Sequence, residues 1–197
     1  VDCYAARFWE DLLLLALNLA EAVPDDVIDF VRTEKNYLAA WPDDEDWPDD
    51  ESTDAALSIV DDHILDFGYV RNAPKVTCWR HYTKGNDLVT LSWRSVAGDG
   101  IAFAAPESLE LAMPTSEFYA AIEELDRRLM TAMEQRIREL ETAGAPADVH
   151  IDVSHLRAEH ADRSTWLAER LAARRHTDWG LVRAGIQILT APPKDKP

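Results

Sequence analysis

His150, Asp152, His155 and His160 gather ligand-type side chains within eleven residues, and the chemistry open to them is zinc binding or acid–base work in a small hydrolase or transferase. Neutral imidazoles and a carboxylate are zinc ligands, and His150 and Asp152 share one face if that stretch is a strand. Against this, the step from His155 to His160 suits a helix face poorly, and three ligands would have to come from two elements. No metal and no other cofactor is therefore expected. Asp61-Asp62-His63 reads as the solvated side of a helix. The chain has no glycine-rich phosphate loop, no histidine pair bracketing a glutamate, no nucleophile elbow and no cysteine pairs at zinc spacing, each of which performs a definite mechanical task in the enzymes that carry it. No catalytic residue is assigned. The residues point to binding rather than catalysis, with a hydrolase or transferase on His150, Asp152 and His155 as the alternative.

Binding chemistry is concentrated elsewhere. The run Trp41-Pro42-Asp43-Asp44-Glu45-Asp46-Trp47-Pro48-Asp49-Asp50-Glu51 holds seven acids, two tryptophans and no base. Residues 1–74 carry 19 acids against 4 bases, a balance of −15, whereas residues 75–197 carry 18 against 16, a balance of −2. So one-sided a field repels nucleic acid and anionic membranes and draws in basic proteins. Trp41, Asp43, Asp44, Glu45, Asp46, Trp47, Asp49, Asp50 and Glu51 are accordingly the candidate partner-binding residues. The plainer reading is a solvated connection, with the two tryptophans packed back on the domain; large aromatics, however, are also the residues that anchor interfaces. A calcium loop would need a glycine at its sharp turn, and none lies between Trp41 and Phe67.

The elements that must position these residues follow from periodicity. A chain of 197 residues, 47% hydrophobic, suits one domain. Residues 4–22, rich in Ala and Leu and ending before Pro24, predict a helix apolar all round and hence central. A second helix is expected from Pro24-Asp25-Asp26 with Val27, Val31 and Leu38 on one side, stopping near Trp41. Ser52-Thr53-Asp54 offers N-cap oxygens to a third, in which Leu57, Val60, Ile64 and Phe67 recur at helical spacing until Gly68.

From Lys75 the period becomes twofold. Val76, Cys78 and Tyr82, then Val89, Leu91 and Trp93, predict a hairpin around Lys84-Gly85-Asn86-Asp87. Turns at Gly98-Asp99-Gly100 and Pro106-Glu107-Ser108 lead into strands over 101–105 and 109–113. Trp79-Arg80 and Trp93-Arg94 read as core tryptophan beside exposed arginine, with an anion-binding pair as the alternative. Pro114-Thr115-Ser116-Glu117 opens a long helix whose apolar stripe runs from Phe118 through Ile122, Leu125 and Leu129 to Leu140, ended by Gly144-Ala145-Pro146. Its outer face offers Glu123/Arg127, Glu124/Arg128 and Glu134/Arg138 as i,i+4 pairs. A short strand over 148–153, a polar helix over 154–175 that breaks near Ser164, and a last helix from Thr177-Asp178 with Trp179, Val182, Ile186 and Leu189 inward complete the chain. The fold class is α+β: an antiparallel meander of about four strands packed against several helices. It forms one domain over 1–191 (helical 1–70, sheet 75–113, helical 114–191) and a tail over 192–197.

Cys3 and Cys78, the two cysteines, read as reduced core residues. Leu12-Leu13-Leu14-Leu15-Ala16-Leu17 is bracketed by Glu10-Asp11 and Asn18, far short of the ~18 residues of a membrane span. No basic segment precedes it as in a signal peptide, so the chain reads as cytoplasmic.

Leu65-Asp66-Phe67-Gly68-Tyr69-Val70, Ala73-Pro74-Lys75-Val76 and Trp79-Arg80 together resemble the signature of an uncharacterised family of acidic actinobacterial proteins. The Phe118–Leu140 helix and the closing Thr177-Asp178-Trp179 helix are similar to its members too, so that the resemblance covers residues from about 55 to 190; Val70 stands where a leucine is commoner. The resemblance lends no catalytic residue. Some members look like immunity proteins of polymorphic toxin systems, which implies a cytoplasmic protein that binds and neutralises a basic toxin domain by occluding its active site. An interaction module whose partner is not a toxin is the further alternative.

Overall fold

The computed structural model describes residues 3–33, 50–65, 67, 69, 74–94, 108–146 and 148–191. Among them, α1 spans Cys3–Asn18, α2 Asp25–Thr33, α3 Glu51–Asp61, β1 Ile64–Leu65, β2 Lys75–Thr83, β3 Asn86–Arg94, β4 Ser108–Pro114, α4 Thr115–Ala143, α5 Val153–Ala172 and α6 Trp179–Thr190. The four strands form one antiparallel sheet in the order β1-β2-β3-β4, so the fold is α+β. No helix of the described residues is long and apolar enough to cross a membrane.

The hairpin forms because β-branched and aromatic residues alternate along both strands and a tight turn joins them. Lys84 and Gly85 both take positive φ, 51° and 82°, the requirement of a two-residue type I′ turn. Asn86 and Asp87, expected within the turn, pair with Thr83 and Tyr82 as the first residues of β3.

Strand alternation sorts the core into two layers. Leu65, Val76, Cys78 and Val89 look one way, into a cluster with Trp9 and Leu13 of α1, Leu19 just beyond it, Phe118 and Ile122 of α4 and Leu167 of α5. Trp79 looks the other way, among Val27, Val31, Ile59, Val60, Val182 and Leu189 of α2, α3 and α6. Truncating any of these buried aliphatic side chains typically costs about 2–5 kcal/mol for a leucine or isoleucine. On α4, Phe118 and Ile122 are buried while Leu125 is only half-buried, because the helix turns from the sheet toward α5. Gly144, at φ 77°, ends α4 and returns its N–H to Leu140.

Several sequence expectations are corrected. The third helix stops at Asp61, and Ile64–Leu65 is a strand on β2 instead of its last turn; Cys78 N–H donates to the His63 carbonyl beside it. Pairing with the sheet outweighs a helical spacing that four residues alone supported. The meander keeps its four strands, but β1 is one of them and β4 pairs directly with β3, while residues 101–105 lie outside the described residues. Residues 148–153 form a turn and a helix cap without a strand, and α5 passes through Ser164 unbroken, its hydroxyl donating back to Ala161 O. In α1, Leu13 and Leu15 are 2% and 3% exposed but Leu14 is 50% exposed, so the helix is not apolar-buried all round.

Candidate functional site

Asp50 is the N-cap of α3: its carboxylate accepts from the Ser52 N–H at 2.8 Å and from the Ser52 hydroxyl, and its carbonyl accepts from Thr53 Oγ1 at 2.7 Å. Those hydrogen bonds, the Ser52 hydroxyl first, hold its carboxyl below the usual carboxylate range. The cap sits two residues earlier than Ser52-Thr53-Asp54. Ser52 and Thr53 are instead buried, 5% and 1% exposed, because α6 crosses here at Gly185, where an added Cβ would lie 1.9 Å from the Ser52 carbonyl oxygen. Asp50 and Glu51 remain exposed and mark where the acidic run joins the fold. Trp41, Asp43, Asp44, Glu45, Asp46, Trp47 and Asp49 lie outside the described residues.

A second acidic feature had no separate sequence signal. Between α1 and the turn from α3 to β1 lies a groove of about 270 Å³, with Leu14, Leu15, Ile64 and Leu65 as its apolar part and Asp11, Asn18, Asp61 and Asp62 around them. Asp11 sits three residues before Leu14 and Asn18 four after, so a helical turn places all three together. Tyr69 Oη donates to Asp11 Oδ2 at 2.8 Å, Asn18 Nδ2 donates to the Asp62 carbonyl at 2.7 Å, and the Arg175 guanidinium donates to Asn18 Oδ1 and Asp62 Oδ2. The Asp61 side chain is exposed and has no hydrogen-bond or ion-pair partner among the described residues. Leu65 thus lines the groove and Tyr69 holds one of its carboxylates.

His63 corrects the reading of Asp61-Asp62-His63 as a solvated face. It is 1% exposed, with Nδ1 2.7 Å from the Ile59 carbonyl and Nε2 buried without a hydrogen-bond partner among the described residues. Burial, reinforced by Arg175 nearby, pushes its pKa down to about 4, against the opposing pull of the Ile59 hydrogen bond and Asp62. Its imidazole is neutral at neutral pH.

Arg80 is not an exposed anion-binding cation. Its Nε and one terminal nitrogen donate to the two oxygens of Asp87 at 2.8 and 2.7 Å, and the other donates to Ala20 O beyond the end of α1 at 2.7 Å. Thr115 donates to the same Asp87 at 2.7 Å. The Arg80 guanidinium, the largest cause, holds the Asp87 carboxyl below its ordinary range. The neighbouring Trp79 is a core residue, 2% exposed. Cys78 is free and buried, its thiol pushed up to about 12 by desolvation, as befits a core residue and not a nucleophile.

The histidine cluster is put to structural use. Asp152 caps α5, accepting from Ser154 Oγ at 2.6 Å and from the His155 N–H at 3.0 Å. The His155 ring is 69% exposed, 3.5 Å from Glu159, whereas His160 faces Glu134 on α4 at 3.4 Å and is 12% exposed. His150 is exposed ahead of the cap. Among the described residues, no three or more His, Cys, Asp or Glu side chains are grouped so as to hold a metal ion.

Residues 1–185 match the model of a family described as "Family of unknown function (DUF5984)". No curated protein and no solved structure matches the chain.

Proposed function

Given that the chain belongs to this family of unknown function, we propose that it is an immunity- or antitoxin-like protein that binds a basic toxin domain and covers its active site. The observation that carries this reading is the division of charge, −15 within residues 1–74 of a total of −17. Toxins that act on nucleic acid or nucleotides need basic clefts, and an acidic surface fills such a cleft while raising the rate of encounter toward ~10⁸–10⁹ M⁻¹s⁻¹ at low salt. The similarity of the Leu65–Val70, Ala73–Val76 and Trp79-Arg80 segments to acidic actinobacterial proteins with immunity-type members supports the same reading. Such a protein acts in the cytoplasm and needs no cofactor. The contact surface is the acidic run from Trp41 to Glu51, with Trp41 or Trp47 as its anchor.

The test is capture of the partner by the tagged full chain, followed by an activity assay and binding kinetics. The expected partner is a basic domain that loses its toxic activity on one equivalent of the chain. Neutralising Asp43, Asp44 and Asp46 together should lower kon and flatten its salt dependence, while Trp47→Ala should raise koff. A basic partner without toxic activity would make the chain an interaction module of another kind. An acidic or neutral partner would overturn the proposal, and rate constants that move less than about twofold, ~0.4 kcal/mol, would remove the acidic run from the interface.

A further inference from the structure

We infer that the groove between α1 and the α3–β1 turn receives an arginine side chain of the protein partner, its methylene stem lying on Leu14 and Ile64 and its guanidinium meeting Asp61. This rests on the basic-partner reading above and adds where such a partner is gripped.

The size of the groove argues for a side chain. At about 270 Å³ it falls below the ~300–1,000 Å³ of clefts that enclose a small-molecule ligand. Its lining is amphipathic in the same sense as arginine: an apolar surface that includes the half-exposed Leu14, flanked by carboxylates. Long cationic side chains lay their stems on such surfaces and keep the charged head at the rim. A single exposed leucine would mean nothing; here it lies between Asp11 and Asn18 on its own helix and faces Asp61 and Asp62 in the groove.

The molecule already uses one side of this groove in the proposed manner. The Arg175 guanidinium bridges Asn18 and Asp62, which line the groove, and Tyr69 satisfies Asp11. Arg7 is 3.7 Å from Asp11 and 62% exposed, too far for a hydrogen bond. Asp61 is left as the carboxylate with no internal partner among the described residues. A guanidinium suits it better than an ammonium, being less strongly hydrated and able to engage both carboxylate oxygens.

The experiment titrates the ¹⁵N-labelled full chain with blocked Gly-Arg-Gly, and in parallel with its citrulline and lysine counterparts. Saturable shifts in the millimolar range are expected at the Leu14, Asn18, Asp61 and Ile64 amides with the arginine peptide, and none with citrulline. Asp61→Asn should weaken binding about threefold to fivefold, the upper range for one exposed ion pair, and Leu14→Ser, also at an exposed position, should weaken it by removing the apolar surface under the stem. Equal binding of the citrulline or lysine peptide, indifference to Asp61→Asn, or no saturable shift would overturn the inference. Shifts confined to residues 41–51 would also overturn it while leaving the basic-partner reading standing, since that reading is decided by the captured partner's charge and activity.

Discussion

The acids of α4 and α5 and those of α1–α3 are neutralised in different ways. On α4 the partners are local: Glu124 takes Arg127 and Arg128, and Glu134 takes Arg138, with Arg127 one residue nearer its partner than the expected Glu123. Arg157 of α5 bridges Glu134 and Glu141. In the first third Arg7 lies within 3.8 Å of Glu10 and 3.7 Å of Asp11 on its own helix, but Asp62 and Asp26 receive their cations from the far end of the chain, Arg175 and Arg183. Glu21 likewise accepts from the Thr177 N–H and Trp179 Nε1 at 2.9 Å each. Among the described residues, part of the negative charge of the first third is therefore offset in space by arginines from the C-terminal third.

The largest expected effect lies where this imported charge meets the core. His63 titrates near its ordinary 6.5 when unfolded but only near 4 when folded, so between those values the unfolded chain binds more protons. Stability should therefore fall as pH drops from about 6.5 to 4 and be insensitive to this group above that window. Two and a half pH units correspond to at most about 3 kcal/mol. Urea unfolding across the window should show the slope in the parent and a shallower one in His63→Leu, the remainder coming from carboxylates such as Asp87 that the fold holds below their ordinary range. A parent midpoint that stays level from pH 6.5 to 4 would mean that the ring reaches solvent.

Next comes the crossing that docks α6, the carrier of Arg183, on α3. Gly185→Ala places a Cβ 1.9 Å from the Ser52 carbonyl oxygen and 2.9 Å from the Ala56 Cβ, and neither backbone nor Ala56 can swing away. The helices must separate, at about 1–3 kcal/mol or more, read as a lower urea midpoint. An unchanged midpoint would show that the crossing is looser than the geometry requires.

The smallest effect separates the two modes of pairing directly. Asp62→Asn, which weakens the long-range clamp between Arg175 and the end of α3, should cost about 1 kcal/mol. Glu124→Gln on the exposed face of α4 should leave the unfolding midpoint unchanged within error. Equal effects in the two variants would erase the distinction.

Much of the architecture was legible because it is set by neighbours in sequence. Alternation along 75–94 gave the hairpin, glycine at 85 and 144 supplied the positive φ of a turn and a helix end, and Asp178 caps α6 by accepting from the Gly180 and Leu181 amides at 3.0 Å each. These features depend on backbone geometry within a few residues, and a single chain states them openly.

What only the tertiary structure decided depends on groups far apart in sequence. Ile64–Leu65 became a strand because β2 offered it hydrogen bonds, His63 went inside because that pairing turned the chain at Asp62, and Asp50 took the cap from Ser52 because α6 buries the first turn of α3 against Gly185. The acidic groove belongs to the same class: Asp11 and Leu14 on one helix and Asp61 and Ile64 about 50 residues later make no motif until α1 is laid beside the α3–β1 turn. The sequence determined how much negative charge the first third carries; the fold determined which of those carboxylates arginines from the C-terminal third occupy, because ion pairing depends on distance in space and not along the chain.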